Sequence, residues 1–317
     1  MTENMTEKKD IQKILNRLAD SDQKINFKNP VHLSPDLQEY LNYYGFQLKN
    51  IDYHFGKIDI NGTPIMVQMF SPKTCIGTVV LLHGYLDHVG ILKNIIQHLN
   101  RQKYRVISYD LQGHGLSGGE KASVKSFSDY VLTLEELMNQ TKKEISGPIY
   151  GIGHSTGGAI LINYILKQPE AQFNKIILIA PLVRSKHWLL SKIGYYLIEP
   201  IPFMKEVHRK FRVNSSDKQF LSFIKNDPLQ PKAIPIEWLN SLISWNEEIQ
   251  TYNACDTETL LIQGTNDRTV EWKYNLNFIK EKFNHLHIKL IKNGRHQLFN
   301  EKPPIRDQVF KEIERFL

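Results

Sequence analysis

From about residue 49 to the C-terminus, short apolar runs alternate with stretches that are apolar on one side only. The runs at 51–60, 65–70, 78–82, 105–109, 149–152, 175–179, 260–262 and 287–291 are mostly continuous, as strands buried on both faces should be. Asn61-Gly62 between the first two predicts a tight hairpin, so the sheet is expected to begin antiparallel. Between the later runs, 89–99, 129–138, 158–167, 272–283 and 304–317 carry helical periodicity. The last stretch places Ile305, Val309, Ile313 and Phe316 or Leu317 on one stripe, with a proline at its first turn. Ser126 and Asp129 form a cap signal for the second of these helices. The pattern predicts an α/β chain, a mainly parallel eight-stranded sheet flanked by helices.

The alternation stops at Pro181 and resumes near Thr259, leaving a segment of helices, turns and several prolines. A connection of that length in a compact domain is usually functional, and its place before the next strand predicts an inserted helical cap. The expected organisation is therefore an N-terminal helical extension over 1–48, the first part of the core over 49–181, the cap over 182–250 and the second part of the core over 251–317. The extension contains helical stretches at 11–18 and 35–43, to which no chemistry is assigned.

Composition narrows the picture. The 317 residues are 41% hydrophobic, enough to fill a large core. A formal charge of +7, with basic and acidic residues mixed over most of the chain, does not indicate nucleic acid as a partner. Between Arg184 and Arg212, however, Lys186, Lys192, Lys205, Arg209 and Lys210 are opposed only by Glu199 and Glu206. The blander reading is a solvated helix face; the sharper one is peripheral contact with an anionic membrane, because Trp188, Leu189, Leu190, Tyr195 and Phe203 are interleaved with those charges. Cys75 and Cys255 are too few for a disulfide framework and lack metal-site spacing. With no secretory signal at the start and no apolar stretch of about 20 residues, the expected location is cytoplasmic.

The candidate chemistry begins at Gly153-His154-Ser155-Thr156-Gly157, which closes one apolar run and opens a helical stretch. A serine on a strand-to-helix turn is where a nucleophile elbow puts it, and small neighbours two before and two after prevent a collision between strand and helix. Its partners are selected by the rule that sites in open α/β sheets gather at the carboxyl ends of the strands. Asp267 and His296 follow their strands and pass; Asp256 and Glu258 precede theirs, and His285 and His287 sit at the beginning of theirs, so these fail. The order Ser, Asp, His is that of the α/β-hydrolase template. A serine hydroxyl needs a base, which His296 can be, and Asp267 can hold that imidazole in the correct tautomer. The template's oxyanion donors are backbone N–H groups, here those of Thr156 and, by position, Tyr85. His83 and His154 adjoin the centre in sequence but are read as ordering their own loops, and the glycines of 113–119 as packing beside the site without the lysine of a phosphate loop.

From about Thr63 onward the chain resembles the monoacylglycerol lipase and lysophospholipase branch of the α/β-hydrolases, also called serine aminopeptidase-like. The strings that carry the resemblance are His83-Gly84 with Asp87-His88, Asp110-Leu111-Gln112-Gly113-His114-Gly115, Gly153-His154-Ser155-Thr156-Gly157-Gly158, Asn226-Asp227-Pro228-Leu229, Gly264-Thr265-Asn266-Asp267 and Gly294-Arg295-His296. Asp87 stands where that family usually has glutamate, and Tyr85 where its lipases often have a small residue. The resemblance implies an α/β-hydrolase fold and hydrolysis of a carboxylic ester through an acyl-enzyme, with no cofactor or metal. Its substrate is expected to be a single-chain lipid, monoacylglycerol or lysophospholipid. A generalist short-chain carboxylesterase is the nearest alternative, followed by a proline-iminopeptidase-like peptidase and a non-catalytic binding protein.

Overall fold

The computed structural model describes residues 2–168, 173–201 and 203–317, with side chains from Asp10 onward. Two helices come first, α1 (Thr2–Asp20) and α2 (Pro35–Tyr44), followed by β1 (Ile51–Ile60), β2 (Thr63–Pro72), β3 (Gly77–Leu82), α3 (Lys93–Arg101), β4 (Tyr104–Tyr109), α4 (Phe127–Glu144), β5 (Ile149–His154), α5 (Thr156–Lys167) and β6 (Lys175–Ile179). The inserted segment contributes α6 (Trp188–Ile198), β7 (Glu206–His208), α7 (Lys218–Asn226), β8 (Ala233–Pro235) and α8 (Ile236–Glu248). The chain ends with β9 (Thr259–Gly264), α9 (Trp272–Lys282), β10 (Leu286–Ile291) and α10 (Pro303–Phe316).

Eight strands form one sheet in the order β1-β2-β4-β3-β5-β6-β9-β10. The first hairpin turns at Asn61 and Gly62, both at positive φ, a pair of conformations that matches the twist of the flanking strands. β2 also runs antiparallel to β4; from β4 to β10 every pairing is parallel. The sheet is therefore an α/β-hydrolase sheet, antiparallel only at one edge.

Continuous apolar strands are explained by what covers them. Val79 and Leu81 of β3 belong to the buried cluster that contains residues of α1, α2, α3 and α10, while Val80 and Leu82 belong to the one that contains residues of α4, α5, α8 and α9. β3 thus buries both of its faces, and alternation is lost from its sequence, whereas the edge strand β10 is exposed at His287, Lys289 and Leu290. The inserted segment differs from its purely helical expectation by a two-stranded ribbon, β7 with β8, paired antiparallel through Val207 and Ile234. Strands of three residues carry too few positions for a period to register. Among the described residues no helix is long and apolar enough to cross a membrane.

Candidate active site

β5, β9 and β10 are parallel members of one half of the sheet, so the loops that follow them emerge at the same edge. Ser155 follows β5 directly. Its φ of 51° and ψ of −113° lie outside the ordinary regions, a strain of roughly 1–3 kcal/mol that the packing around it must hold. Two glycines make the turn sterically feasible: a Cβ at Gly153 would stand 2.4 Å from the Gly157 carbonyl oxygen, and one at Gly157 would stand 2.5 Å from that of Leu82. The serine's own N–H donates to the Ile179 carbonyl at 3.0 Å, tying the turn to β6.

The structure brings Ser155, His296 and Asp267 into one buried chain. His296 Nε2 lies 3.0 Å from Ser155 Oγ, and Nδ1 lies 2.8 Å from Asp267 Oδ2. Both contacts are satisfied at once when Nδ1 carries the proton and donates to the carboxylate, leaving Nε2 to accept from the hydroxyl. Burial opposes ionisation of Asp267, but the charge of His296 and its hydrogen bond, the Thr269 N–H at 2.7 Å and the Gln263 amide at 3.2 Å outweigh it. The carboxyl is therefore held below the usual range and keeps its negative charge beside the imidazole.

The two sequence-predicted N–H donors lie at the same place. Tyr85 and Thr156 line the cavity that contains Ser155 and His296, and among the described residues neither backbone N–H meets an acceptor. Thr156 is the first residue of α5, whose opening N–H groups have no partner inside the helix. The Tyr85 side chain is committed elsewhere: its ring stacks on Trp238 of α8 at 3.5 Å and 12°, and its hydroxyl donates to the Ala122 carbonyl at 2.7 Å. The bulky residue is thus a fixed wall of the cavity, held by α8.

The neighbouring histidines have different tasks. His83 accepts the Leu111 N–H at Nε2, 2.9 Å, which leaves Nδ1 to donate to the Gly84 carbonyl at 2.8 Å; beyond ordering its own loop, it ties that loop to the one after β4. His154 does more than that, because its Nε2 donates to the backbone carbonyl of His296 at 3.0 Å and so links the serine turn to the histidine loop. Burial, then the nearby His296, pushes its pKa down to about 3, so it remains neutral. The glycine-containing loop after β4 wraps the Asp110 carboxylate, which accepts the N–H groups of Val89 at 2.7 Å and Leu116 at 2.8 Å.

Sequence reasoning missed several supports. Gln263 braces Asp267, and Gln297 donates to Asp87 at 2.9 Å beside the histidine. Glu301, wholly buried, accepts the Arg295 N–H at 2.6 Å and the Ser216 N–H at 2.6 Å, pinning the histidine loop to the inserted segment. Adjacency to His296 was the only available signal for Gln297; the others become neighbours through folding alone. Around the buried chain lies a cavity of about 380 Å³, with Leu182, Ile234, Leu239, Leu242 and Val270 among its apolar lining. An imidazole poised to take the serine proton, with two free N–H groups beside it, can support nucleophilic attack on a carbonyl and hold the oxyanion that forms. Among the described residues no group of three or more histidine, cysteine or acidic side chains is placed to hold a metal ion.

Comparison with known proteins agrees in extent with this architecture. A family model described as serine aminopeptidase, S33, matches residues 74–303. The monoacylglycerol lipase of Mycolicibacterium smegmatis is 24% identical over 250 residues, covering 76% of this chain and 89% of that protein. Phospholipase YtpA of Bacillus subtilis is 22% identical over 249 residues, covering 76% and 95%. In fold, the chain is similar to a soluble variant of the Saccharomyces cerevisiae monoglyceride lipase in complex with a substrate analog, with a TM-score of 0.72, 20% identity, and coverage of 85% and 94%.

Proposed function

The chain belongs to the serine aminopeptidase S33 family and is a monoacylglycerol-lipase-like α/β-hydrolase; from that premise we propose that it cleaves the carboxylic ester of a single-acyl-chain lipid through an acyl-enzyme. The observation that carries this reading is the Ser155–His296–Asp267 hydrogen-bonded chain opening into a cavity with an extensive apolar lining. Ser155 Oγ attacks the ester carbonyl carbon while His296 Nε2 takes its proton. Asp267 stabilises the imidazolium, and the N–H groups of Thr156 and Tyr85 hold the oxyanion. Collapse of the tetrahedral intermediate breaks the bond to the alcohol, which leaves with the proton from His296. Water, deprotonated by the same imidazole, then releases the fatty acid and restores Ser155.

Residues 182–250 act as a cap in this scheme, between the two parts of the core at 49–181 and 251–317, with 1–48 as an extension. Trp238, Leu239 and Leu242 of α8 line the cavity, which supports an acyl chain held under the cap. An aminopeptidase would need acidic groups to anchor a substrate's amino terminus. Asp87 is the only acidic residue lining the cavity among those described, while Glu199 and Glu206 are exposed outside it. Ester hydrolysis is accordingly favoured over the peptidase activity that the family description carries.

The test is a hydrolysis panel of short esters, monoacylglycerols and lysophospholipids, run with wild type and Ser155→Ala. Single-chain lipids are expected to be the better substrates, and the variant to lose ~10³-fold or more in rate at unchanged stability. Undiminished turnover by Ser155→Ala would remove the mechanism. A strong preference for short soluble esters would instead replace the lipid assignment with the generalist esterase.

A further inference from the structure

Resting on that reading of the site, the cavity wall opposite in character to the acyl-lining residues bears on the headgroup. Lys186, Arg209, Lys210 and Arg212 line the same cavity as Ser155 and His296. Arg209, just beyond β7, is half-buried and held without a carboxylate: Nη1 donates to Gln230 Oε1 at 2.6 Å and to the Pro231 carbonyl at 3.3 Å. Its remaining guanidinium N–H groups have no partner among the described residues. A half-buried cation with donors to spare readily takes an anion, since neutral carbonyls compensate only part of its lost hydration.

Three acidic residues of α8 are engaged elsewhere. Glu237 accepts from Ser123, Glu247 pairs with Lys192, and Glu248 is bonded to Tyr252. Asp87 influences Arg209 through its charge but is not within ion-pair distance; its Oδ2 accepts from Gln297, and its burial pushes the carboxyl pKa up. Arg212 donates only weakly, to the Arg268 carbonyl at 3.5 Å, and none of the four cavity cations has an acidic partner within 4 Å among the described residues. The guanidinium's fixed fork of donors matches the oxygens of a phosphate, and three further cations line the same cavity.

We propose that the Arg209 wall binds the phosphate of the substrate, so that the preferred ester is a single-chain lipid with an anionic phosphate headgroup and not a neutral monoacylglycerol. The apolar side of the cavity holds the acyl chain, the basic side holds the phosphate, and the ester carbonyl lies between them at Ser155.

The experiment compares kcat/KM on 1-oleoylglycerol and on 1-oleoylglycerol 3-phosphate at equal surface fraction in neutral detergent micelles. Wild type is expected to favour the phosphate ester by about tenfold or more, the scale of one or two charge-assisted hydrogen bonds. Arg209→Gln lowers that ratio, mainly through KM. So does the exposed pair Lys210→Gln with Arg212→Gln, which keeps the internal bonds of Arg209. Lys142→Gln, on the exposed end of α4, removes an equal charge far from the cavity and leaves the ratio as it was. Equal rates on the two esters, or a ratio unmoved by the cavity variants, overturn the proposal. It is also overturned if doping the micelles with an inert anionic lipid accelerates the neutral ester as much, because the cations would then be reading the surface and not the headgroup. Turnover surviving in Ser155→Ala is a separate result, which removes the proposed nucleophile whatever the headgroup ratio.

Discussion

At the scale of single residues, burial sets the charge state of the histidines beside the site, whereas Asp267 keeps its charge against burial through its partners. His114 is buried beside Tyr85, its Nδ1 near the Gln112 carbonyl at 2.9 Å, and burial pushes its pKa down to about 4. In the unfolded chain an imidazole titrates near 6.5, so between about 6.5 and 4 the unfolded state binds a proton that the folded state refuses. Stability from this group is therefore complete above about pH 6.5 and is lost as pH falls toward 4. Urea unfolding of wild type and His114→Phe at several pH values should show the wild type losing ground to the variant on acidification, on the order of 1 kcal/mol per pH unit. A difference that stays constant from pH 7 to pH 4.5 would mean that His114 is protonated in the folded protein. Ser155 and its two partners could be picked out from residue types and strand ends. Gln263 and Glu301 could not, because a lone Gln or Glu has no chemistry of its own until folding shows what it touches.

At the scale of elements, periodicity found the helices but placed their ends loosely. The cap signal at Ser126 and Asp129 is present as a reciprocal capping box, yet α4 extends to Glu144, six residues beyond the expected 138. Amphipathic spacing fades over that last stretch because it faces solvent on several sides. In α6 the balance is reversed: Leu190, Ile193 and Leu197 are exposed on one face, with Phe203 95% exposed beyond the helix. An apolar face of this kind, in a stretch of sequence rich in Lys and Arg, supports peripheral contact with an anionic membrane. Wild type is expected to sediment with anionic phospholipid vesicles, less so as salt rises, and Leu190→Glu with Leu197→Glu to abolish that binding. Absent or salt-independent binding would return the basic run to a solvated surface.

At the scale of the whole molecule, one buried cluster joins three parts of the chain that are far apart in sequence. Asp227, which ends α7, accepts the Tyr44 hydroxyl of α2 at 2.9 Å and sits 2.7 Å from His88 Nε2 in the loop after β3. Burial would lower the His88 pKa, but the Asp227 charge outweighs it and holds it above the ordinary value. The N-terminal helices are therefore tied to both the inserted segment and the core, and Tyr43 and Tyr44 add ring contacts to Phe223. Tyr44→Phe is expected to cost about 1–2 kcal/mol of unfolding free energy and Asp227→Ala about 3–5 kcal/mol, with the double variant less than additive. Strict additivity would show that the two side chains do not act on each other. By itself the sequence determined the sheet, its flanking helices and the order of Ser155, Asp267 and His296 along it. Those follow from local periodicity and from a topological rule that needs no contacts. Only the tertiary structure decided that Tyr85 is a wall stacked on Trp238, that His154 holds the His296 carbonyl, and that Arg209 faces the nucleophile's cavity with no acidic partner among the described residues. Each depends on distances between residues widely separated in sequence, and burial and electrostatic pairing act through those distances.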